Sequence, residues 1–338
     1  MIANLLEITK FQLPNYQIPM NAVLVIDKPA GLTSHDVVSR VRRIVGQRAV
    51  GHLGTLDPMA TGVLPLVLGS LTRLAQFYTA CEKVYEGTVR FGFATDTYDA
   101  EGEAVGDVKE VTLSEPDVQE VAGRFRGWIE QTPPPFSAKK IHGVPAYELA
   151  RKRQEVKLEP VRVEIKELSI LGVTKDRVEF RARVASGTYM RSVAHEMGQL
   201  LGCGAHLERL RRTAVGEFGI PNEQPQGTQS SIKEKTAYSL EELAVAAENG
   251  SLEEFVVHPR KLLPEMPAVT VTDDVAAHVR CGRAVNLPEL SRAKLLRVFY
   301  GQRELIAIAS RVAGTLFHPK IVLASSAVTE VMPSNRNL

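Results

Sequence analysis

Within GHLGTLDPMATGVLPLVLG, residues 51–69, one carboxylate and one imidazole, Asp57 and His52, stand among glycines and a proline. A lone carboxylate can do covalent chemistry by adding to an electrophilic carbon, or it can simply close a turn. The local residues permit both. Pro58 drives Asp57 out of the helical region into extended backbone, while Gly51, Gly54 and Gly62 allow tight geometry on either side. Asp beside Pro and Gly is ordinary turn material, yet reactive groups also concentrate on loops that a scaffold holds rigid. Arg191 is the second residue of chemical interest. It falls in the first turn of an expected helix, where the macrodipole disfavours a cation by roughly a few tenths of a kcal/mol or more. Such a cation calls for an anion, either a substrate phosphate or a carboxylate such as Asp57. The alternative is an exposed arginine bending into water.

Other familiar chemistry is missing. The chain has no GxxxxGK[ST] loop and no GxGxxG, so nucleotide phosphate binding has no support. HEMGQ begins like a zinc-protease helix but carries Gln199 in place of the second histidine. Cys203 and His206 lack a second pair at metal-ligand spacing, so no metal site is expected. Ser34, His35 and Asp36 are adjacent in sequence, which is not triad geometry, and a helix start explains them better. No GxSxG elbow occurs.

The elements that must position Asp57 and Arg191 can be read from periodicity. AVLVID is a short strand closed by Lys28 and Pro29. TSHDVVSRVRRIV reads as a helix capped by Thr33 with Asp36 as capping partner, and Val37, Val41, Ile44 and Val45 form its apolar stripe. VLPLVLG is apolar throughout, as in a strand covered on both faces. VYEGTVRFGF alternates, placing Tyr85, Val89, Phe91 and Phe93 on one face; RVEFRARV turns Val178, Phe180, Ala182 and Val184 inward. It leads into a helix marked by Val193, Ala194, Met197, Leu200 and Leu201. Strands and helices mix without regular βαβ alternation, which predicts an α+β fold. Residues near 222–256 read as a polar connector. From about Leu262 the runs AVTVT, LLRVFY, ELIAIASRV and KIVLAS predict a small β-rich module.

The chain has 338 residues, 44% hydrophobic and 24% charged, as in an ordinary globular protein. No apolar run approaches the length needed to span a bilayer, and the first residues lack the pattern of a signal peptide. Three dispersed cysteines suggest no disulfide framework, so a reducing cytoplasm is the expected location. The net charge is only +2, but its distribution is uneven. Basic clusters occur at Arg40, Arg42, Arg43 and Arg48; at Lys139, Lys140, Arg151, Lys152 and Arg153; and at Arg209, Arg211 and Arg212. Segregated clusters of this kind suit a polyanion-binding face, or are solvated surface charge.

Five blocks, LVIDKPAGLTSHDVVSRVRRI, RAVGHLGTLDPMATGVLPLVLG, KVYEGTVRFGFATDTYDAEG, PPPFSAKKIHGVPAYELAR and SGTYMRSVAHEMGQLLGCGAHLERLRRTAVGEF, together resemble the TruB family of tRNA pseudouridine synthases. The resemblance covers about residues 22–220. It implies a mixed, mainly antiparallel central sheet flanked by helices, followed by a small PUA-like RNA-binding module. The implied divisions are a lead-in at 1–20, a catalytic domain at 21–262, the PUA-like domain at 263–328 and a tail at 329–338. The implied reaction is isomerisation of uridine 55 in the tRNA T-loop, with no cofactor, by a monomer that needs no protein partner or membrane.

The resemblance also implies roles at matching positions. Asp57 is the nucleophile. Tyr85 stacks on the uridine and takes part in proton transfer. Tyr189 touches the uridine, and Arg191 pairs with Asp57, keeping it ionised by lowering its pKa. His52 sits where the target base stacks, Leu210 lines the base pocket, and Lys28 belongs to the substrate-binding set through a block that supports the loop. The basic tail, which carries none of these blocks, is expected to bind RNA and to be separable from the chemistry. Two rival readings are an RNA-binding protein without turnover and a glycoside hydrolase. Intact Asp57, Tyr85 and Arg191 argue against the first; the absence of a second carboxylate beside Asp57 in the loop argues against the other.

Overall fold

The computed structural model describes residues 20–323, except Ala138, His142, Arg153, Glu155, residues 221–235 and Leu290. The lead-in, Arg153 of the second basic cluster, the first part of the connector and the tail at 329–338 therefore lie outside the described residues.

The chain enters through β1 (Val23–Lys28), whose alternation serves two cores at once. Leu24 and Ile26 join one apolar cluster, Val23 and Val25 another. Helix α1 (Ser34–Ile44) begins at Thr33, where the predicted capping box with Asp36 is formed. Strands β2 (Val50–His52) and β3 (Thr61–Leu68) flank the Asp57 loop. β3 is buried on both faces as its composition predicts: Leu64, Leu66 and Leu68 face the first cluster, Val63 and Val67 the second. Each such valine or leucine contributes about 1.5–3 kcal/mol on burial.

The sheet continues with β4 (Lys83–Phe91), β5 (Gly127–Gln131), β6 (Val161–Val173), β7 (Arg177–Val184), β8 (Ala205–Val215) and β9 (Phe218–Gly219). Its order is β1-β3-β8-β4-β7-β6-β5, with β2 added on β3 and β9 on β8. Only the β8–β3 pairing is parallel, at Arg211↔Thr61 and Arg212↔Gly62, so this central sheet is mixed and mainly antiparallel. Helices α1, α2 (Glu115–Gly123) and α3 (Met190–Leu200) cover one face through Val37, Val118, Val193 and their neighbours.

Three local expectations need correction. Phe93 lies beyond β4, because the chain leaves the strand at Gly92 with φ +108°. Leu200 is exposed, being on the outer side of the last turn of α3. The connector is not featureless: Ser239 and Glu242 form a capping box that starts helix α4 (Leu240–Glu248), and Tyr238 bridges to Ile26 of β1.

The C-terminal sheet comprises β10 (Ala268–Val271), β11 (Val285–Asn286), β12 (Leu295–Tyr300), β13 (Glu304–Ala313) and β14 (Leu316–Val322), in the order β10-β12-β13-β14-β11. Helix α5 (Asp273–Arg280) packs on it. This sheet is not a loose appendage. Phe299, Leu305, Ile308, Ile321 and Leu323 share one buried cluster with Val23, Val67, Leu71, Leu74 and Tyr78. Glu217 ties the junction further, accepting from the Tyr78 hydroxyl at 2.7 Å and from the Leu263 amide at 2.8 Å. No helix among the described residues is long and apolar enough to cross a membrane.

Candidate active site

The Asp57 loop links β2 to β3 and has little regular hydrogen bonding of its own, so its shape comes from side chains that reach into it. Ser34, buried at the start of α1, donates to the Leu56 carbonyl (3.1 Å) and accepts from the Leu56 amide (2.8 Å). Lys28, at the end of β1, is fully buried, and its ammonium donates to the carbonyls of Pro29 (2.9 Å), Pro58 (3.1 Å) and Ala60 (2.6 Å). Burial lowers its pKa to about 8, with Asp57 acting in the opposite direction. Arg212 of β8 donates to the carbonyls of Gly54 (2.9 Å), Thr55 (3.3 Å) and Val63 (2.9 Å). The loop is thus held on both sides of Asp57.

Arg191 lies at the start of α3, as the helix pattern predicts, with a side chain only 5% exposed. Its Nη2 donates to Asp57 Oδ1 (3.1 Å) and to the Phe136 carbonyl (2.9 Å). Nε is 2.9 Å from Asp57 Oδ2, an ionic contact too bent to count as a hydrogen bond. Nη1 donates to the Thr97 carbonyl (3.1 Å) and lies 3.4 Å from Asp99 Oδ2. The poorly placed cation therefore has two carboxylates as partners, and the exposed-arginine alternative is excluded.

The electrostatic balance at Asp57 differs from expectation. Burial raises its carboxyl above the ordinary value, Arg191 pulls it down, and Asp99 pushes it up again. The net direction is upward, because Arg191 divides its charge between two acids while the loop withdraws Asp57 from water. Asp57 remains the more open partner, with 35% of its side chain exposed. A carboxylate of raised basicity beside a fixed guanidinium is suited to add to an electrophilic carbon.

Of the other predicted site residues, Tyr85 of β4 is buried and stands opposite Arg212 in the β4–β8 register. Leu210, two residues earlier on β8, is also buried. Tyr189 caps α3 and is fixed by the buried Gln131, which accepts from its amide (2.8 Å) and donates to its carbonyl (3.1 Å). His52 at the end of β2 is half-buried, and burial together with Arg212 and His35 lowers its pKa, favouring the neutral ring. Among the described residues no cluster of His, Cys, Asp or Glu could hold a metal.

Residues 42–190 match the model of the TruB family pseudouridylate synthase N-terminal domain. Residues 191–259 match that of the tRNA pseudouridylate synthase B C-terminal domain. The chain is 46% identical over 307 residues to tRNA pseudouridine synthase B of Solibacter usitatus, covering 90% of this chain and all of that protein. The corresponding protein of Aquifex aeolicus is 38% identical over 306 residues, again covering 90% and 100%. This chain belongs to the TruB family of pseudouridylate synthases. Among solved structures, an H/ACA ribonucleoprotein bound to a substrate RNA containing 2'-deoxyuridine matches with a TM-score of 0.66 at 23% identity, covering 93% of this chain and 88% of that one. An archaeal box H/ACA Nop10–Cbf5 complex matches at 0.64 and 23%, covering 93% and 90%. At that identity these matches speak for the fold, which is that of a pseudouridine synthase.

The TruB match also corrects the connector, since the second family model runs to residue 259 and includes α4. Lys28 is fully buried, and its ammonium, held by three carbonyls, braces the loop. The third basic cluster is not a uniform face: Arg209 is exposed, Arg211 pairs with Asp27 (2.8 Å), and Arg212 is buried. Sequence reasoning read Ser34 only as part of a helix start and passed over Gln131, Asp99 and the inward direction of Arg212. Asp99 sits inside a block quoted for the family, but the acidic run from Asp96 to Glu120 disguises it as surface charge.

Proposed function

We propose that this TruB-family enzyme isomerises a uridine of tRNA to pseudouridine, and that its target is the T-loop uridine at position 55. The carrying observation is the Asp57–Arg191 pair: a carboxylate presented on a braced loop and oriented by a nearly buried guanidinium. Breaking the N-glycosidic bond, turning the base and rejoining it through C5 needs a covalent catalyst, and Asp57 fills that role by adding to the base or to the ribose carbon. Tyr85 stacks on the uridine and carries a proton, Tyr189 and Leu210 line the base pocket, and His52 occupies the position that the flipped base takes over.

Flipping a uridine out of a folded loop costs about a few kcal/mol, which ionic contacts to the RNA backbone offset. The exposed Lys139, Lys140, Arg151 and Lys152 and the C-terminal PUA-like sheet are suited to supply them. In this reading the active unit is a monomer that works without a cofactor.

The test is tritium release from 5-labelled uridine in an isolated T-arm stem-loop. The parent enzyme should act on it. Asp57→Asn, nearly isosteric and suited to the same turn, should abolish release while tRNA affinity and melting temperature stay close to the parent's. Release by Asp57→Asn near the parent rate removes the nucleophile assignment. A requirement for full-length tRNA with its anticodon arm removes the T-arm assignment.

A further inference from the structure

Arginine does not deprotonate in proteins, so burying one requires that every donor be answered. Arg212 is only 1% exposed. Its hydrogen-bond partners are neutral, three carbonyls of the β2–β3 loop and β3, and Tyr85 faces it across the β4–β8 register. The backbone is cleared to admit it. A Cβ at Gly62 would stand 2.2 Å from the Arg212 carbonyl oxygen, and one at Gly54 would stand 3.4 Å from its Nη1. Both glycines have positive φ, +101° and +104°. Arg212 is directly opposite Tyr85 on β4 and opposite Gly62 on β3. It is thus placed between the segment leading to Asp57 and the tyrosine.

We propose that Arg212 is a positioning residue of the isomerisation, fixing the Tyr85 hydroxyl relative to the Asp57 loop and stabilising negative charge on its oxygen during proton transfer. This rests on the reading of Tyr85 as the proton carrier. In the closing step the re-attached base loses a proton from C5 and gains one at N1. The C5–H electron pair re-forms the C5=C6 bond, the C6=N1 pair takes the new proton, and Tyr85 begins and ends as the phenol. A fixed guanidinium on its oxygen favours the moment at which that oxygen lacks a proton. Burial lowers the Arg212 pKa, and the neighbouring Tyr85 acts in the opposite direction.

The experiment is a double-mutant cycle in single-turnover tritium release on labelled tRNA. Arg212→Lys keeps a charge but loses the fork, and it should slow the parent by about tenfold or more while tRNA affinity changes by less than about threefold. In a Tyr85→Phe background the same change should slow release by less than about threefold. If Tyr85→Phe is slow and the two effects multiply fully, Arg212 does not act through Tyr85 and the proposal is overturned. If Tyr85→Phe runs at the parent rate, the reading of Tyr85 fails first and this proposal falls with it. The melting temperature of Tyr85→Phe gives a readout that needs no Arg212 variant. It should fall although Phe is the more apolar residue, because a buried guanidinium donor loses its acceptor. An unchanged or higher value overturns the contact.

Discussion

Arg191→Ala removes the cation that Asp57 and Asp99 share. Taking one partner from a buried ion pair costs about 3–5 kcal/mol, because the other charge is left in a poor medium. Here the two acids differ. Asp99 is 5% exposed but still accepts from the Thr97 hydroxyl (2.6 Å) and the Glu101 amide (3.1 Å), whereas Asp57 is 35% exposed and partly solvated. Both features favour the lower end, about 3 kcal/mol. In a chain of this size that corresponds to a fall in melting temperature of about 6 °C at neutral pH. The pH dependence carries the sharper test. Without Arg191 the Asp57 carboxyl rises further above its ordinary value, so in mildly acid solution the folded variant binds more protons than the unfolded chain. Stability then increases as pH falls, and the gap to the parent narrows towards the ordinary carboxylate range. Because activity needs the carboxylate, the acid limb of the residual rate should move to higher pH. Melting curves and single-turnover rates over the acid range decide it. A gap that widens on acidification, or an acid limb that moves down, refutes the argument.

Two further outcomes follow from the braces around the site. Lys28→Met exchanges a costly buried ammonium for three unanswered carbonyls and should destabilise by about 2–4 kcal/mol. Since the folded pKa of Lys28 is lowered to about 8 from 10.5, the parent gains stability as pH rises between those values; the variant lacks this gain, so their difference in chemical-denaturation midpoint should grow with pH. Deletion from residue 265 onward should not yield a sound enzyme with weaker RNA binding. It uncovers Val23, Val67, Leu71 and Leu74, and should lower the melting temperature sharply and slow the single-turnover rate; a truncated chain with the parent's melting temperature contradicts the shared core.

Where local signals coincide with the tertiary answer, the sequence is legible. The Thr33 capping box, the doubly buried β3 and the alternation of β7 need no information from elsewhere in the chain. The cation at the start of α3 was legible because a rule is broken there, and broken rules point to partners. Arg212 was not. In RLRRTAV three arginines within four residues look like a basic surface, and only the parallel register with Gly62 shows that one of them turns inward. Asp99 was hidden by company of its own sign. The α4 capping box was readable, as Ser239 stands three residues before Glu242, but the polar stretch ahead of it masked the start. What escaped notice is consistently a polar side chain whose partner is far along the chain, and periodicity carries no record of such pairs.

The site also explains why this loop can stay rigid without regular structure. A buried loop must answer its backbone carbonyls, and glycine and proline leave it few partners of its own. Lys28, Arg191 and Arg212 each bring several donors, and between them they reach the carbonyls of Pro29, Gly54, Thr55, Pro58, Val63, Ala60, Thr97 and Phe136. Apolar side chains could fill the same volume but would leave those oxygens unanswered and the direction of Asp57 unspecified. Cations fix the loop through its oxygens and, by the same charge, favour the anionic form of Asp57. If Asp57 is the nucleophile proposed above, it is already aimed before substrate arrives, and little reorganisation is left for the moment of bond breaking.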